Sequence, residues 1–177
     1  RLIRECRLGR GLCVVVLTIC AGFSNAASVD DLQRRASWAP PAVDVTRENL
    51  LEWVDSHEVD EASRDQIEQR WAAADRFAPE EVLEELISTL AIVDPRVQVM
   101  HAICQQPRPA VDLPQVTVVE DSSLPSWITA NLRLFYGQWL ASQQLFDESS
   151  ALISELQPDD VVDPAALLFY QSVNAHR

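Results

Sequence analysis

Few residues in this chain are of types that do chemistry. Histidine occurs at His57, His101 and His176, and cysteine at Cys6, Cys13, Cys20 and Cys104. His101 and Cys104 form an H-x-x-C pair that one helical turn would set side by side, as in half a zinc site. Structural zinc takes four ligands, and no second pair is visible, so both are expected to pack. Cys104 lies in the apolar run Val97-Gln98-Val99-Met100-His101-Ala102-Ile103-Cys104 and reads as a small buried hydrophobe, the alternative being a reactive or intermolecular thiol. His57 falls near the end of a predicted helix, where the dipole favours imidazolium, and reads as a cap. Glu80, Glu81, Glu84 and Glu85 have the types for an acid–base pair. Glu80 and Glu81, however, fall in a first helical turn, which stabilises negative charge, and the four read as a solvated face. Asp159, Asp160 and Asp163 lack the ligand spacing and sharp glycine turn of a calcium loop and read as an inter-helix loop with a cap. No catalytic, cofactor-binding or metal-binding residue is assigned, no cofactor is expected, and the chain reads as a non-enzyme.

Glycine narrows the fold. From residue 27 onward the chain has one, Gly137. Phosphate-binding loops, dinucleotide fingerprints, nucleophile elbows and EF-hand loops all need glycine where the backbone turns sharply or meets a ligand. Type I′ hairpins lose their preferred residues as well. The fold is therefore read as all-α.

The elements that must hold any site follow from apolar spacing and proline. A first helix is predicted from about Val45 to His57, with Asp44 or Thr46 as N-cap and Leu50, Leu51, Trp53 and Val54 apolar. A second, from about Asp60 to Phe77, carries Ile67, Trp71 and Ala74 at i, i+4, i+7. Pro79 opens a third, with Val82, Leu86 and Leu90 on one face. Asp94-Pro95 stops that helix and starts a fourth. Residues 44–105 thus read as a helical subdomain. Residues 106–124, with Pro107, Pro109 and Pro114, read as a Pro-rich connector, and Val116-Thr117-Val118-Val119 as an extended piece. A long helix is predicted from Pro125 to Gln144, a shorter one from Phe146 to Leu156, and a last one from Asp163-Pro164 onward.

Within residues 125–177 a short pattern repeats. Leu134-Phe135-Tyr136 recurs 34 residues later as Leu168-Phe169-Tyr170, with Ala141 and Ala175 at the same offset and Trp139 matched by Val173. Gly137 and Ser149 are small residues 12 apart, a spacing that lets two helices pack closely. Residues 130–177, about a quarter of the chain, resemble the tetratricopeptide (TPR) family of 34-residue helix–turn–helix repeats. The departures are Arg133 at the family's tryptophan position, Leu156 at its next small position, and Gln171 where a second copy would repeat Gly137. The resemblance implies antiparallel hairpins, an α-solenoid fragment, and a role in protein binding. It also leaves the last helix unpaired, with Leu167, Leu168, Phe169 and Tyr170 as its expected contact surface.

The first 26 residues differ from the rest. Arg1, Arg4, Arg7 and Arg10 precede an apolar run from Leu12 to Phe23, followed by Ser24-Asn25-Ala26. This order is that of a secretory signal, and the run is short for a ~30 Å hydrocarbon core. Residues 1–26 are read as a signal peptide cleaved near Ala26 or Ala27, residues 27–43 as an extended or disordered lead-in, and the mature protein as periplasmic or secreted. An uncleaved membrane anchor is the alternative. Ile19 before Cys20 argues against a lipoprotein site. Arg1 as first residue, and Arg177 inside a predicted helix, are what a fragment at either end would show. The formal charge is −13 over the whole chain. Removing residues 1–26, with four arginines and one glutamate, makes it −16. Such a surface repels phosphate backbones and excludes nucleic acid. The expected partner is a protein or peptide, basic by charge complementarity. The expected function is an extracytoplasmic interaction module or scaffold, the alternative a structural all-α subunit completed by oligomerisation. The mature part is not expected to be embedded in a membrane. Sequencing the N-terminus of protein recovered from the host envelope should read from Ala27 or Ser28; an intact Arg1 on soluble cytoplasmic protein would refute the signal.

Overall fold

A computed structural model describes residues 43–74, 77–107 and 116–177, with backbone alone at 43–45, 79 and 80. The predicted signal, the lead-in up to residue 42 and residues 108–115 of the connector lie outside the described residues. Of the part described, 74% is helical and none is strand, so the all-α reading holds. The helices are α1 Val43–Asp55, α2 Glu61–Trp71, α3 Pro79–Val93, α4 Pro95–Cys104, α5 Ser126–Ser142, α6 Phe146–Ile153 and α7 Pro164–Ala175. Two 3-10 turns, Thr117–Glu120 and Pro158–Asp160, precede α5 and α7.

Helix starts follow the sequence signals. Asp60 caps α2 by accepting from the Ser63 amide at 3.0 Å. Pro79 opens α3, and Glu81 reaches back to accept the Ala78 amide at 2.9 Å. Asp94 closes α3 and caps α4 through the Arg96 amide at 2.8 Å. Asp163 caps α7 through the Ala166 amide at 2.9 Å. α1 begins at Val43, so Asp44 and Thr46, expected as caps, stand inside it.

Three expectations give way to packing. α2 ends at Trp71 rather than near Phe77. Phe77 folds back edge-on against Trp71, with ring centroids 5.9 Å apart. Ala78, preceding proline, takes ψ 148, since the proline ring disfavours helical backbone before it. Ala74 is nonetheless buried with Ile67 and Trp71, so the apolar stripe outlasts the helix. The β-branched run is not extended: Thr117–Glu120 is a 3-10 turn. An extended strand points neighbours to opposite faces, and here adjacent Val118 and Val119 are both buried. Leu167, expected on the outer surface of the last helix, is 0% exposed and belongs to the core.

One hydrophobic cluster runs from Leu50 to Leu167. Residues 44–105 and 125–177, expected as separate subdomains, share it, and Val118 and Val119 of the connector are part of it. Polar ties join the helices. The Trp71 indole donates to Thr89 Oγ1 at 2.8 Å, and Arg70 Nη2 to Glu85 Oε1 at 3.1 Å, so α2 is fixed to α3 twice.

α5 and α6 form a hairpin. The turn between them has the hydrogen bonds of a Schellman cap: Leu145 N–H to Leu140 O and Gln144 N–H to Ala141 O, each 3.0 Å. Gln144 sits at φ 66, a region where glycine is usual. Farther along, Gly137 meets α6. A Cβ on Gly137 would stand 2.6 Å from Ile153 Cγ2 and 3.7 Å from Ser149 Oγ. Ser149 Oγ donates to Gly137 O at 2.8 Å and accepts from Asn174 Nδ2 of α7 at 2.9 Å. The close contact anticipated from the Gly137–Ser149 spacing is therefore present. At the offset of 34, Gln171 does something else: its amide caps α6 by donating to Ile153 O and Leu156 O, at 2.8 and 3.0 Å.

The Ile153 methyl that blocks a Cβ is on a stiff β-branched side chain. Gly137→Ala should therefore lower the melting temperature, although alanine is worth about 1 kcal/mol more in a helix interior. Gly137→Leu should cost on the order of 1–3 kcal/mol or more. In the Ile153→Ala background the penalty of Gly137→Ala should shrink, a coupling readable in a double-mutant cycle. A Gly137→Ala protein that melts higher than wild type would refute the close packing.

Candidate functional site

The residues singled out by type do not converge. His57 closes α1: its Nδ1 donates to Trp53 O at 2.8 Å and its ring lies 4.2 Å from that of Trp53. His176 ends α7, with Nδ1 donating to Ser172 O at 2.7 Å. His101 is half-buried rather than part of the core. Its Nε2 bonds Glu84 Oε1 across α3 and α4 at 2.9 Å, and Gln105 Nε2 donates to the same oxygen at 3.2 Å. Glu81 and Glu84 are exposed and Glu85 is half-buried. Glu81 caps, Glu84 holds His101, and Glu85 pairs with Arg70.

Burial pushes the Cys104 thiol up to about 12, and the charge of Glu84 adds to the shift. A nucleophilic or metal-binding cysteine needs the opposite. Among the described residues no group of three or more histidines, cysteines or carboxylates could hold a metal ion. Among them also, no helix is long and apolar enough to cross a membrane.

What residue types did not reveal is a groove assembled by two distant turns. The first follows the Thr117–Glu120 turn. Asp121 Oδ1 accepts from the amide and hydroxyl of Ser123, at 2.8 and 2.6 Å, and Arg96 Nη1 donates to Asp121 Oδ2. The Ser123 bonds and then Arg96 hold the Asp121 carboxyl down at about 2. Arg96 also grips Asp94, Nη2 to Oδ2 at 2.7 Å. Burial raises the pKa of Asp94, but the bonds from Arg96 outweigh it and keep it below its usual value. Arg133 of α5 donates Nε to Val119 O at 2.9 Å. Arg133 thus fastens the 3-10 turn to α5.

The second turn precedes α7. Asp160 Oδ2 accepts the Gln157 amide at 2.7 Å. Asn131, 1% exposed, then draws this turn to the start of α5. Its Oδ1 accepts the Val162 amide at 2.9 Å, and its Nδ2 donates to Trp127 O at 2.7 Å.

Between the two turns lies a cleft of about 710 Å³, within the usual range for ligand pockets. Its acids are Glu120 and Asp121 from one turn and Asp159 and Asp160 from the other; Leu124, Ala130 and Leu156 are apolar, and Arg133 is its one cation. Trp127, Asp159 and Asp160 also line a smaller cleft of about 220 Å³, with Thr46, Asn49 and Asn131. Shared walls make the two one groove, acidic at both rims, with neutral donors and acceptors at one end. The run Glu120-Asp121 and the run Asp159-Asp160 are each visible in the sequence. Their approach is not, because it depends on the Asn131 bond to Val162.

In the folded protein a thiol held near 12 is about 10⁻⁴ ionised at pH 8, against about a quarter for an ordinary cysteine. Cys104 should react with iodoacetamide at least a hundredfold more slowly in native protein than in denaturant. Equal rates in the two states would show an exposed, ionisable thiol instead.

No family model, curated protein or solved structure matches this chain.

Proposed function

We propose that this chain is a non-enzymatic, extracytoplasmic protein-interaction module built on TPR-like helical hairpins, and that it holds a basic segment of a partner polypeptide in the groove walled by Trp127. The observation that carries the reading is the placement of carboxylates on both rims of one groove in a chain of formal charge −13. Exposed carboxylates in a low-dielectric concavity focus the field and raise the local concentration of cations. Trp127 offers a ring face for an arginine or lysine side chain. Thr46, Asn49 and the apolar wall offer partners for peptide groups and aliphatic stems. The half-buried Cys104, its thiol pushed up by desolvation, and the structural roles of Glu81, Glu84 and Glu85 favour binding over catalysis. The signal-like order of residues 1–26 supports an extracytoplasmic site of action. A second reading, an all-α structural subunit completed by oligomerisation, is favoured by the uncharged outer face of α7.

Titration with a short arginine-rich peptide tests the groove. Trp53, Trp71 and Trp139 are buried and Trp127 is half-exposed, so in a Trp38→Phe protein, which removes the fifth, tryptophan fluorescence should report contact at Trp127. Asp159→Asn and Glu120→Gln should each weaken binding about two- to fivefold, as expected for solvent-exposed ion pairs. Glu148→Gln and Glu155→Gln remove the same charge elsewhere and should change it little. Equal effects from all four would mean diffuse attraction to an acidic surface and would sink the groove as a site.

A further inference from the structure

We infer that Arg133 receives a carboxylate of the bound polypeptide, so that the groove selects a segment in which basic residues stand beside an acidic group. The inference rests on the groove reading above and adds to it the negative charge that the ligand must carry.

The first observation is that Arg133 is left over. Arg64 pairs with Asp55, Arg70 with Glu85, and Arg96 with both Asp94 and Asp121. Arg177 lies over the Phe146 ring, 5.1 Å from its centroid. Arg133 lines a cleft with Glu120, Asp121, Asp159 and Asp160, yet among the described residues it forms no ion pair. Its side chain makes one hydrogen bond among them, from Nε to Val119 O at 2.9 Å. A guanidinium has five N–H donors, so the Nη groups remain for the cleft.

The second is that the neighbouring acids are held off. Asp121 is committed to Ser123 and Arg96, and Asp160 to the Gln157 amide. Glu120 and Asp159 are exposed, where an ion pair gains little over hydration. A half-buried cation without a partner is a cost, and a ligand carboxylate would offset it.

The third is access. Ser126, Thr129, Ala130 and Arg133 fall at i, i+3, i+4 and i+7 along α5, and all four line the cleft. The three before Arg133 are small, so the floor stays open as far as the guanidinium. The bond to Val119 O orients the guanidinium plane, and a planar fork held in place suits the two oxygens of a carboxylate. A purely anionic ligand would meet the acids of both rims. A purely basic one would meet Arg133. A segment carrying both signs satisfies the rims and Arg133 together. A terminal carboxylate and an acidic side chain offer Arg133 the same chemistry.

Three arginine-rich peptides of one length, all blocked at the amino end, test this by calorimetric titration. The first has a central glutamine and a C-terminal amide. The second has glutamate in place of that glutamine. The third keeps the glutamine and has a free C-terminal carboxylate. Against a chain of formal charge −13, added negative charge on a ligand weakens diffuse attraction. Seated on Arg133, it should instead tighten binding about two- to fivefold, and the peptide that gains identifies the source of the carboxylate. In Arg133→Gln that gain should disappear, while the first peptide binds at least as tightly as it does to wild type. A structural role through the Val119 turn would instead weaken all three peptides alike, and that result overturns the inference. So does a gain that survives Arg133→Gln. Carboxylate peptides that bind wild type no more tightly than the first peptide overturn it too, and leave the groove reading standing. Binding of none of the three removes both.

Discussion

The last three helices meet at one hydroxyl. Ser149 Oγ donates to the Gly137 carbonyl and accepts from the Asn174 amide, so one buried group joins α5, α6 and α7. It can do so only because Gly137 lacks a Cβ, which lets the α6 backbone come within van der Waals reach. A buried hydroxyl without partners would cost about 1–3 kcal/mol, and a satisfied one contributes about 0.5–1.5 kcal/mol. The geometry is therefore held mainly by the penalty for losing it. Asn174 Oδ1, buried without a hydrogen-bond partner among the described residues, is a cost of the same kind that the arrangement carries.

That junction fixes where the polypeptide between α6 and α7 can run. Gln171 ties the last carbonyls of α6 to α7, and Asn131 ties the Val162 amide to α5. The turn carrying Asp159 and Asp160 is thereby held beside Trp127. On the other side, Arg133 and Arg96 hold the Thr117–Glu120 turn and Asp121. Each rim of the groove is thus positioned by a tie to α5 or to α4, while Glu120 and Asp159 are left exposed. The exposed acids pay no structural role and are free to attract a ligand. The tied ones, Asp121 and Asp160, set the shape.

How much of this was legible depends on the range of the interaction. Pro79, Asp94-Pro95 and Asp163-Pro164 act within one turn of helix, and they mark helix starts correctly. The Gly137–Ser149 contact was legible because glycine is otherwise absent from this part of the chain and helical spacing limits what two small residues 12 apart can do. The end of α2 was not, because Phe77 returning to Trp71 is a tertiary event. The Thr117–Glu120 turn was misread for a related reason. β-branched residues favour strands only where a sheet can use both faces, and here the core takes Val118 and Val119 together. Leu167 was grouped with Leu168 and Phe169 because adjacent apolar residues look alike in sequence, whereas on a helix neighbours lie about 100° apart. The groove was least legible of all, since its two rims are joined by hydrogen bonds spanning many residues.

The distribution of charge gives these parts a common logic. An acidic surface keeps a small helical protein apart from its own copies and from other acidic molecules. Carboxylates gather in the concavity between the two turns, while α7 carries no charged residue. α5 contributes Trp127, Ala130 and Arg133 to the groove, while α7 leans on α6 with Leu167 inward and Leu168 and Phe169 outward. The Ser149 junction connects them. A change in how α7 sits on α6 would disturb Asn174 and Gln171, and with them the turn that carries Asp159.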